Sequence, residues 1–538
     1  MDNLTRNILF SLVVSTLMFA AAVKTSEKLN VIFIITDDQK RGTFGFLEEG
    51  RGKVHTPHID SLAANGVFFR RAYVSTSVCT PSRYSTLTGQ YASRCTNPQF
   101  ARNSTREGQT RVGWNTFMQP QNMNLARALK RAGYVTGFVG KGHCYTNAKY
   151  KKVPANLDPS DPRVAALLAD NQRRQIAACK AHGFDYAASL YQANILGHSH
   201  LGLHYHNMDW VAKGALNFIE LNRSRPFFLW MATTLHHGPS PQESFEKNDR
   251  RITEAGLLAK PLRVLPSNED ILRRVRAAGC SPKTAYCTWL DDGIGAVLKK
   301  LDELGIAEKT VVFYLNDHGV ERGKGSLYEG GVRTPFMMRW KGHIRGGLVI
   351  DELVQNIDIV PTVLELCGVK RPEGMQLDGR SLVPLLEDQN DGWRNSLYLE
   401  IGLTRGIVTK THKYIAFRIP PEYEEIGLAE KMAMMERYSQ NKKSRGKSTH
   451  KSKLDAGAPW THMGSVPGGN NTEWNPISKY PHYFDADQLY DLRFDPHEQK
   501  NLADEPEHGQ ILQGLQSQLK EYLRNVPGPF GELKVMRK

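Results

Sequence analysis

Residues 31–38 read Val31-Ile32-Phe33-Ile34-Ile35-Thr36-Asp37-Asp38. An unbroken run of β-branched and aromatic residues, without polar alternation, is the pattern of a strand covered on both faces, as in a parallel sheet. The run stops at two adjacent carboxylates. In open α/β sheets ligands gather beyond the carboxyl ends of the strands, so Asp37 and Asp38 are placed to hold a divalent cation. Adjacent aspartates at a strand end also serve as turns or helix caps.

The same texture recurs along the chain. Residues 134–139, 226–232 and 310–315 are further apolar runs, and 67–74 is a strand or an extended lead-in. Between them, 125–131, 164–182, 210–222 and 268–305 carry helical periodicity, and a further helix starts at Thr56-Pro57. This alternation predicts an α/β fold: a large, mainly parallel sheet sandwiched by helices. Beyond Trp393 the strands become short and closely spaced, at 398–401, 406–408, 414–417 and 488–492, before a last helix over 510–523. A smaller C-terminal domain built on an antiparallel sheet is expected there. The division is a signal peptide over 1–22, a catalytic α/β domain over 23–393, and an α+β subdomain over 394–538.

The composition of the 538 residues, 40% hydrophobic and 23% charged, excludes wholesale disorder. Arg6, the apolar stretch 8–23 and Ala20-Ala21-Ala22 form a leader too short to span a membrane comfortably, which takes about 20 apolar residues. Export follows, to a secreted or periplasmic location, or a lysosomal one in a eukaryote, with no membrane association after cleavage. The net charge of +15 favours polyanions. For an exported chain a sulfated polysaccharide fits better than nucleic acid. A basic insertion near 441–453 (Lys442, Lys443, Arg445, Lys447, Lys451, Lys453) reads as a solvated loop or, more sharply, as a polyanion grip. His198, His200, His204 and His206 read as loop or helix-entry residues, and no cysteine spacing suggests zinc. Cys280 and Cys287 are near enough in sequence to close a small loop.

Four further elements stand at strand ends or helix starts. Cys79-Thr80-Pro81-Ser82-Arg83 puts a thiol at a helix N-terminus, where amides and the macrodipole favour anions, with Pro at a first helical position. Gly140-Lys141-Gly142-His143 follows one apolar run, His236-His237-Gly238-Pro239 another, and Asn316-Asp317-His318-Gly319 a third, with Gly323-Lys324-Gly325 through Arg333-Thr334-Pro335 close behind. Taken alone, each has an ordinary structural reading. In this order across 31–335 they resemble the sulfatases of the alkaline phosphatase superfamily, whose activation signature is Cys-x-Pro-x-Arg. Residues 358–362 and 488–502 are also similar to that family.

The resemblance implies that Cys79 is converted to formylglycine (3-oxoalanine) by a formylglycine-generating enzyme. It implies that Asp37, Asp38, Asp317 and His318, with an oxygen of residue 79, hold Ca²⁺, Mg²⁺ being the alternative. The family commonly has Asn where His318 stands, and imidazole is a poorer partner for a hard cation. Arg83 would orient the aldehyde hydrate, Lys141 and Lys324 cradle the sulfate, His237 protonate the leaving oxygen, and His143 assist sulfate release. Arg102 and Arg106, on the polar 94–114 segment, are candidate substrate-binding residues. The expected function is an exported sulfatase acting on a sulfated carbohydrate. The alternatives are a phosphodiester or phosphonate monoester hydrolase and a polyanion-binding pseudoenzyme.

Overall fold

Strand β1 (Asn30–Asp37) lies fully buried in the middle of an eight-stranded sheet. The computed structural model describes residues 28–154, 156–195, 201–247, 249–443, 455–464 and 466–533. The leader, His198, His200, and Arg445, Lys447, Lys451 and Lys453 of the basic insertion lie outside the described residues. The other strands of this sheet are β2 (Val67–Tyr73), β3 (Val135–Lys141), β4 (Tyr186–Tyr191), β5 (Phe227–His236), β8 (Thr310–Asn316), β9 (Phe336–Trp340) and β10 (Leu348–Gln355). A two-stranded ribbon, β6 (Ile252–Thr253) and β7 (Gly256–Leu257), stands apart. The sheet order is β10-β2-β9-β8-β1-β5-β3-β4. Its pairings are parallel except that β9 runs antiparallel to both β2 and β8.

The alternating side chains of β1 explain why the run had to be apolar throughout. Val31, Phe33 and Ile35 join one core with helices α2 (Cys79–Thr88), α3 (Leu125–Arg131) and α8 (Ile359–Leu366). Ile32 and Ile34 join the opposite core with α1 (Pro57–Ala64), α5 (Met208–Asn222) and α7 (Ala285–Glu303). Between them in sequence lie α4 (Pro162–Ala181) and α6 (Asn268–Ala277). Phe33 stacks on Trp230 of β5 with ring centroids 4.7 Å apart. Each such burial stabilises the fold by roughly 1.5–3 kcal/mol, so any polar substitution within 31–35 is costly.

The C-terminal sheet is antiparallel, in the order β11 (Leu397–Ile401), β12 (Thr404–Val408), β13 (His412–Phe417), β14 (Asp487–Asp491). It is followed by α10 (Gly509–Asn525), whose Leu512, Leu515 and Leu519 pack under it. The two sheets share a core: Tyr73, Val74, Leu327, Tyr328 and Leu353 cluster with Leu397, Leu399, Ile415 and Tyr490. Helix α9 (Leu428–Lys443) leads into the basic insertion.

Several local readings needed correction. The helical stretch 268–305 is two helices, α6 and α7, separated by a turn at Gly279 and Pro282. Pro81 is the third residue of its helix and Cys79 the first. Either position suits proline, because neither amide has an intrahelical acceptor. The seven cysteines are free, Cys280 and Cys287 included. Among the described residues no helix is long and apolar enough to cross a membrane.

Candidate active site

Parallel strands β1 and β8 pair with Thr36 opposite Asn316, so both chains release an aspartate at the same edge of the sheet. Asp317 N–H donates to Thr36 O at 3.2 Å, and Asp38 N–H donates to Asp317 Oδ1 at 3.2 Å. Asp38 has φ 53°, a left-handed conformation that Asp tolerates better than most residues. The turn sets Asp37 and Asp38 on different partners. Lys141 Nζ donates to Asp37 Oδ2 at 2.6 Å, and Lys324 Nζ donates to Asp38 Oδ1 and Oδ2 at 2.6 and 2.5 Å.

Lys141 reaches Asp37 because β3 ends in a register shift at Gly140, which has φ 90°. A Cβ there would sit 1.7 Å from the Ala232 carbonyl of β5. Only glycine allows so close an approach, and it turns the following lysine into the site. Lys324 sits on the loop between β8 and β9, where Gly331 packs against the Gly323 carbonyl with no room for a side chain.

Helix α2 is buried along its whole length and is anchored by polar groups. Ser82 Oγ donates to Asp317 O, and Asn356 Nδ2 donates to Ser82 O and Thr86 Oγ1, each at 3.0 Å. Arg83, fully buried, donates from Nε and Nη2 to Asp317 Oδ2 at 3.2 and 3.1 Å and lies 3.3 Å from Asp37 Oδ1. Its guanidinium therefore holds the two carboxylates side by side. These contacts aim the N-terminus of α2, and with it Cys79, at the carboxylates.

His318 Nδ1 donates to Gly319 O at 3.0 Å, which turns Nε2 toward Cys79 Sγ at 3.4 Å, Asp38 Oδ1 at 3.3 Å and Asp317 Oδ2 at 3.7 Å. His237 Nδ1 donates to Gly238 O at 3.0 Å and presents Nε2 to Asp38 Oδ2 at 3.6 Å. His236 points elsewhere, edge-on to Tyr286. His143 Nε2 is 3.1 Å from Thr80 Oγ1 in the first turn of α2. Arg106 is exposed and ion-pairs with Glu425 at 2.7 Å, and Arg102 is exposed at the end of a short helix, Pro98–Ala101. Among the described residues neither bonds to Asp37, Asp38 or Asp317.

The electrostatics favour negative charge at residue 79. Burial raises the Cys79 thiol, but Lys141 and Lys324 outweigh it and bring it down to about 6. Burial likewise pushes Asp38 upward, and Lys324 and His318 more than reverse this, to about 2. Burial and the neighbouring cations Lys141 and Arg83 keep His143 neutral. Burial raises Asp317.

Two overlapping groups suit a divalent ion. Asp37, Cys79 and Asp317 bring ligand atoms within 4.8 Å of one another, as do Asp38, Cys79 and His318. Asp37 Oδ1 is buried and accepts no hydrogen bond, although Arg83 is near. Such an orphaned oxygen among hard carboxylate donors fits a divalent cation. The similar group His58, Asp291 and Asp292 is explained without one. Asp291 caps α1 by accepting from the amides of His58 and Ile59, and Asp292 binds Arg274.

Sequence reasoning missed the polar scaffold beneath these groups. Asn316 Oδ1 accepts from Gln39 N–H at 2.9 Å, while its amide group donates to Gln39 O. His206 donates from Nε2 to the carbonyl of His237 at 2.8 Å. Asn316 stood in a quoted motif and His206 in the histidine cluster. Their strand-end and helix-entry positions were the available signals.

Comparison with known proteins places the chain in a family. The sulfatase family model matches residues 29–369, and the model described as N-sulphoglucosamine sulphohydrolase, C-terminal, matches 318–454. Rat steryl-sulfatase is 29% identical over 443 residues, covering 70% of this chain and 74% of its own. The ulvan-active sulfatase of Formosa agariphila is 24% identical over 503 residues, covering 91% and 79%. A solved structure in complex with its substrate, D-glucosamine-2-N,6-O-disulfate, superposes with a TM-score of 0.57 at 18% identity, covering 93% of this chain and 98% of that one.

Proposed function

From a chain that belongs to the sulfatase family and is a sulfuric ester hydrolase, we propose a more specific reaction: hydrolysis of sulfate monoesters on a carbohydrate, after conversion of Cys79 to formylglycine. The observation that carries this is the convergence of the buried Lys141, the half-buried Lys324, three aspartates and His318 on residue 79 at the start of α2. Asp37, Asp38, Asp317 and His318 are the residues that would hold a divalent cation, Ca²⁺ or Mg²⁺. When bound, it supplies positive charge that favours a deprotonated oxygen on residue 79 and neutralises the sulfuryl group. The formylglycine hydrate supplies one hydroxyl as nucleophile and a second whose deprotonation expels sulfate.

The chain's own side chains do the rest. Lys141 and Lys324 both favour negative charge at residue 79 and are already fixed by Asp37 and Asp38, so they stabilise developing charge without reorganising. Arg83 holds Asp37 and Asp317 in place behind them. His237 is partly exposed, its side chain 17% accessible, and its Nδ1 is committed to Gly238 O. Nε2, which faces Asp38, is then the atom that delivers a proton from the imidazolium form of the ring to the oxygen of the departing alcohol. His143, kept neutral and 3.1 Å from Thr80 Oγ1, would assist the second hydroxyl in expelling sulfate. Arg102 and Arg106 lie on an exposed segment that a longer anionic chain would meet outside the site. The basic composition and the apolar leader support an exported protein acting on a sulfated polysaccharide or its oligosaccharides.

The test has two parts. Mass spectrometry of the peptide bearing residue 79, from protein made in its native source, should show formylglycine. A sulfate-release screen over sulfated polysaccharides and their oligosaccharides should then find a substrate. An unmodified thiol in fully active protein overturns the mechanism, and a strong preference for aryl phosphodiesters over aryl sulfates overturns the reaction class.

A further inference from the structure

The loop that carries Lys324 is gripped from below by the C-terminal sheet. Lys413 on β13 is completely buried and lies 2.8 Å from Glu329 Oε1 and 2.9 Å from Glu498 Oε1. Glu498, also fully buried, accepts the backbone N–H of Glu329 through its other oxygen at 2.6 Å. Glu329 opens the short helix Glu329–Val332, five residues after Lys324, and its second oxygen accepts from Tyr73 OH at 3.2 Å. The carbonyl of Gly330 accepts from Glu321 N–H and that of Gly331 from Gly319 N–H, so the foot of the loop is bonded to its start. Next to Glu329, Tyr328 stacks on Tyr480 with centroids 3.6 Å apart and donates to Gln488 on β14.

A lysine buried between two carboxylates contributes little net stability, because desolvation consumes most of the attraction. Its value lies in fixing geometry. Glu498 reaches Glu329 only from a left-handed backbone, φ 55°, in the Asp495-Pro496 turn after β14. Neither the mechanism above nor the core packing requires this.

We propose that Lys413, together with Glu498, is a positioning residue for Lys324: the C-terminal sheet sets where the loop between β8 and β9 holds that ammonium group against Asp38 and the substrate. This rests on the reading of Lys324 as a sulfate-contacting residue. The chain of contacts runs Lys413 to Glu329, Glu329 through its loop to Lys324, and Lys324 to Asp38. A displacement of about 1 Å at such a group costs up to roughly 10²-fold in rate.

The experiment compares kcat and KM of the wild-type chain, Lys413→Met and Glu498→Ala on 4-nitrophenyl sulfate, with circular dichroism as the check of folding. Lys413→Met should lose at least about tenfold in kcat/KM, and Glu498→Ala about fivefold, with unchanged spectra. In a Lys324→Arg background the same two substitutions should cost less than about twofold, because coupled residues are non-additive. Fully additive losses, or unchanged kcat/KM in both variants, overturn the role of Lys413 and leave the sulfatase reading intact. If Lys413→Met does not accumulate as folded protein, Glu498→Ala decides alone, since it keeps the Lys413–Glu329 pair. A wild-type chain with no turnover of any sulfate ester removes both proposals.

Discussion

Two buried clusters of lysines and carboxylates lie on either side of the loop between β8 and β9, and they are built to opposite ends. Under the loop, Lys413 and Glu498 are fully buried and Glu329 nearly so, and both carboxylates also receive a backbone or tyrosine donor. Above it, Asp37, Asp38 and Asp317 face Lys141, Lys324 and Arg83 with an oxygen of Asp37 left unbonded, Asp38 in a left-handed turn, and a side reached by solvent through His237. The ingredients are alike. What separates a working site from a brace is access: each cluster holds a left-handed residue and a carboxylate oxygen without a hydrogen bond, Asp38 and Asp37 above, Glu498 below, but the upper one opens to solvent beside His237.

The comparison is broken most directly at residue 79. Cys79→Ala removes the nucleophile from the upper cluster and touches nothing in the lower one. Turnover of an aryl sulfate should fall by at least about 10⁴-fold while the melting temperature stays within a few degrees, by calorimetry. Next comes chelation. Dialysis against EDTA should lower turnover by roughly 10³-fold, with recovery on adding Ca²⁺ or Mg²⁺ and a bound ion detected by atomic emission in untreated protein. Lys324→Ala should cost about 10²-fold in kcat/KM, measured on the same substrate, because one fixed donor to the developing charge is gone.

The lower cluster answers to pH rather than to substrate. Burial, with Glu329 alongside, raises Glu498 from 4.5 to about 7 despite Lys413. A carboxyl group raised on folding stabilises the native state below its unfolded value and loses that contribution as pH climbs through the folded one. The melting temperature of Glu498→Gln relative to wild type should therefore rise between pH 4.5 and 7, by about 2 °C or more, and level off above. A flat difference across that window would place the charge of Glu498 outside the fold's proton balance. Smallest of all, Arg106→Ala breaks only an exposed ion pair with Glu425 and should leave the melting temperature within about 1 °C.

The centre of the molecule was legible because burial on two faces leaves a plain mark. β1, β5 and β8 sit inside the sheet, and their apolar runs have no polar interruptions to confuse with a helix. The missed strands are those whose surroundings are uneven. β4 and β10 are the sheet edges, and β10 alternates exposed Val349 and Asp351 with buried Ile350. β9 is five residues long, directly after a proline. The carboxylates and lysines of the site were visible at strand ends and in motifs. Lys413 was not, because a lysine in a short apolar strand looks like an ordinary solvent-facing residue until its partners, 84 and 85 positions away in sequence, are brought beneath it.

The reversed direction of β9 has a consequence for how such a protein can diversify. A parallel crossover must carry the chain to the far edge of the sheet before the next strand begins, so length added there is spent on the scaffold. Because β9 turns back, residues 317–335 depart from and return to the same rim. This excursion supplies Asp317, His318 and Lys324, and ahead of Tyr328, where its contacts with the C-terminal sheet begin, it can gain length without altering a strand pairing. Substrate preference and sheet architecture can thus drift independently.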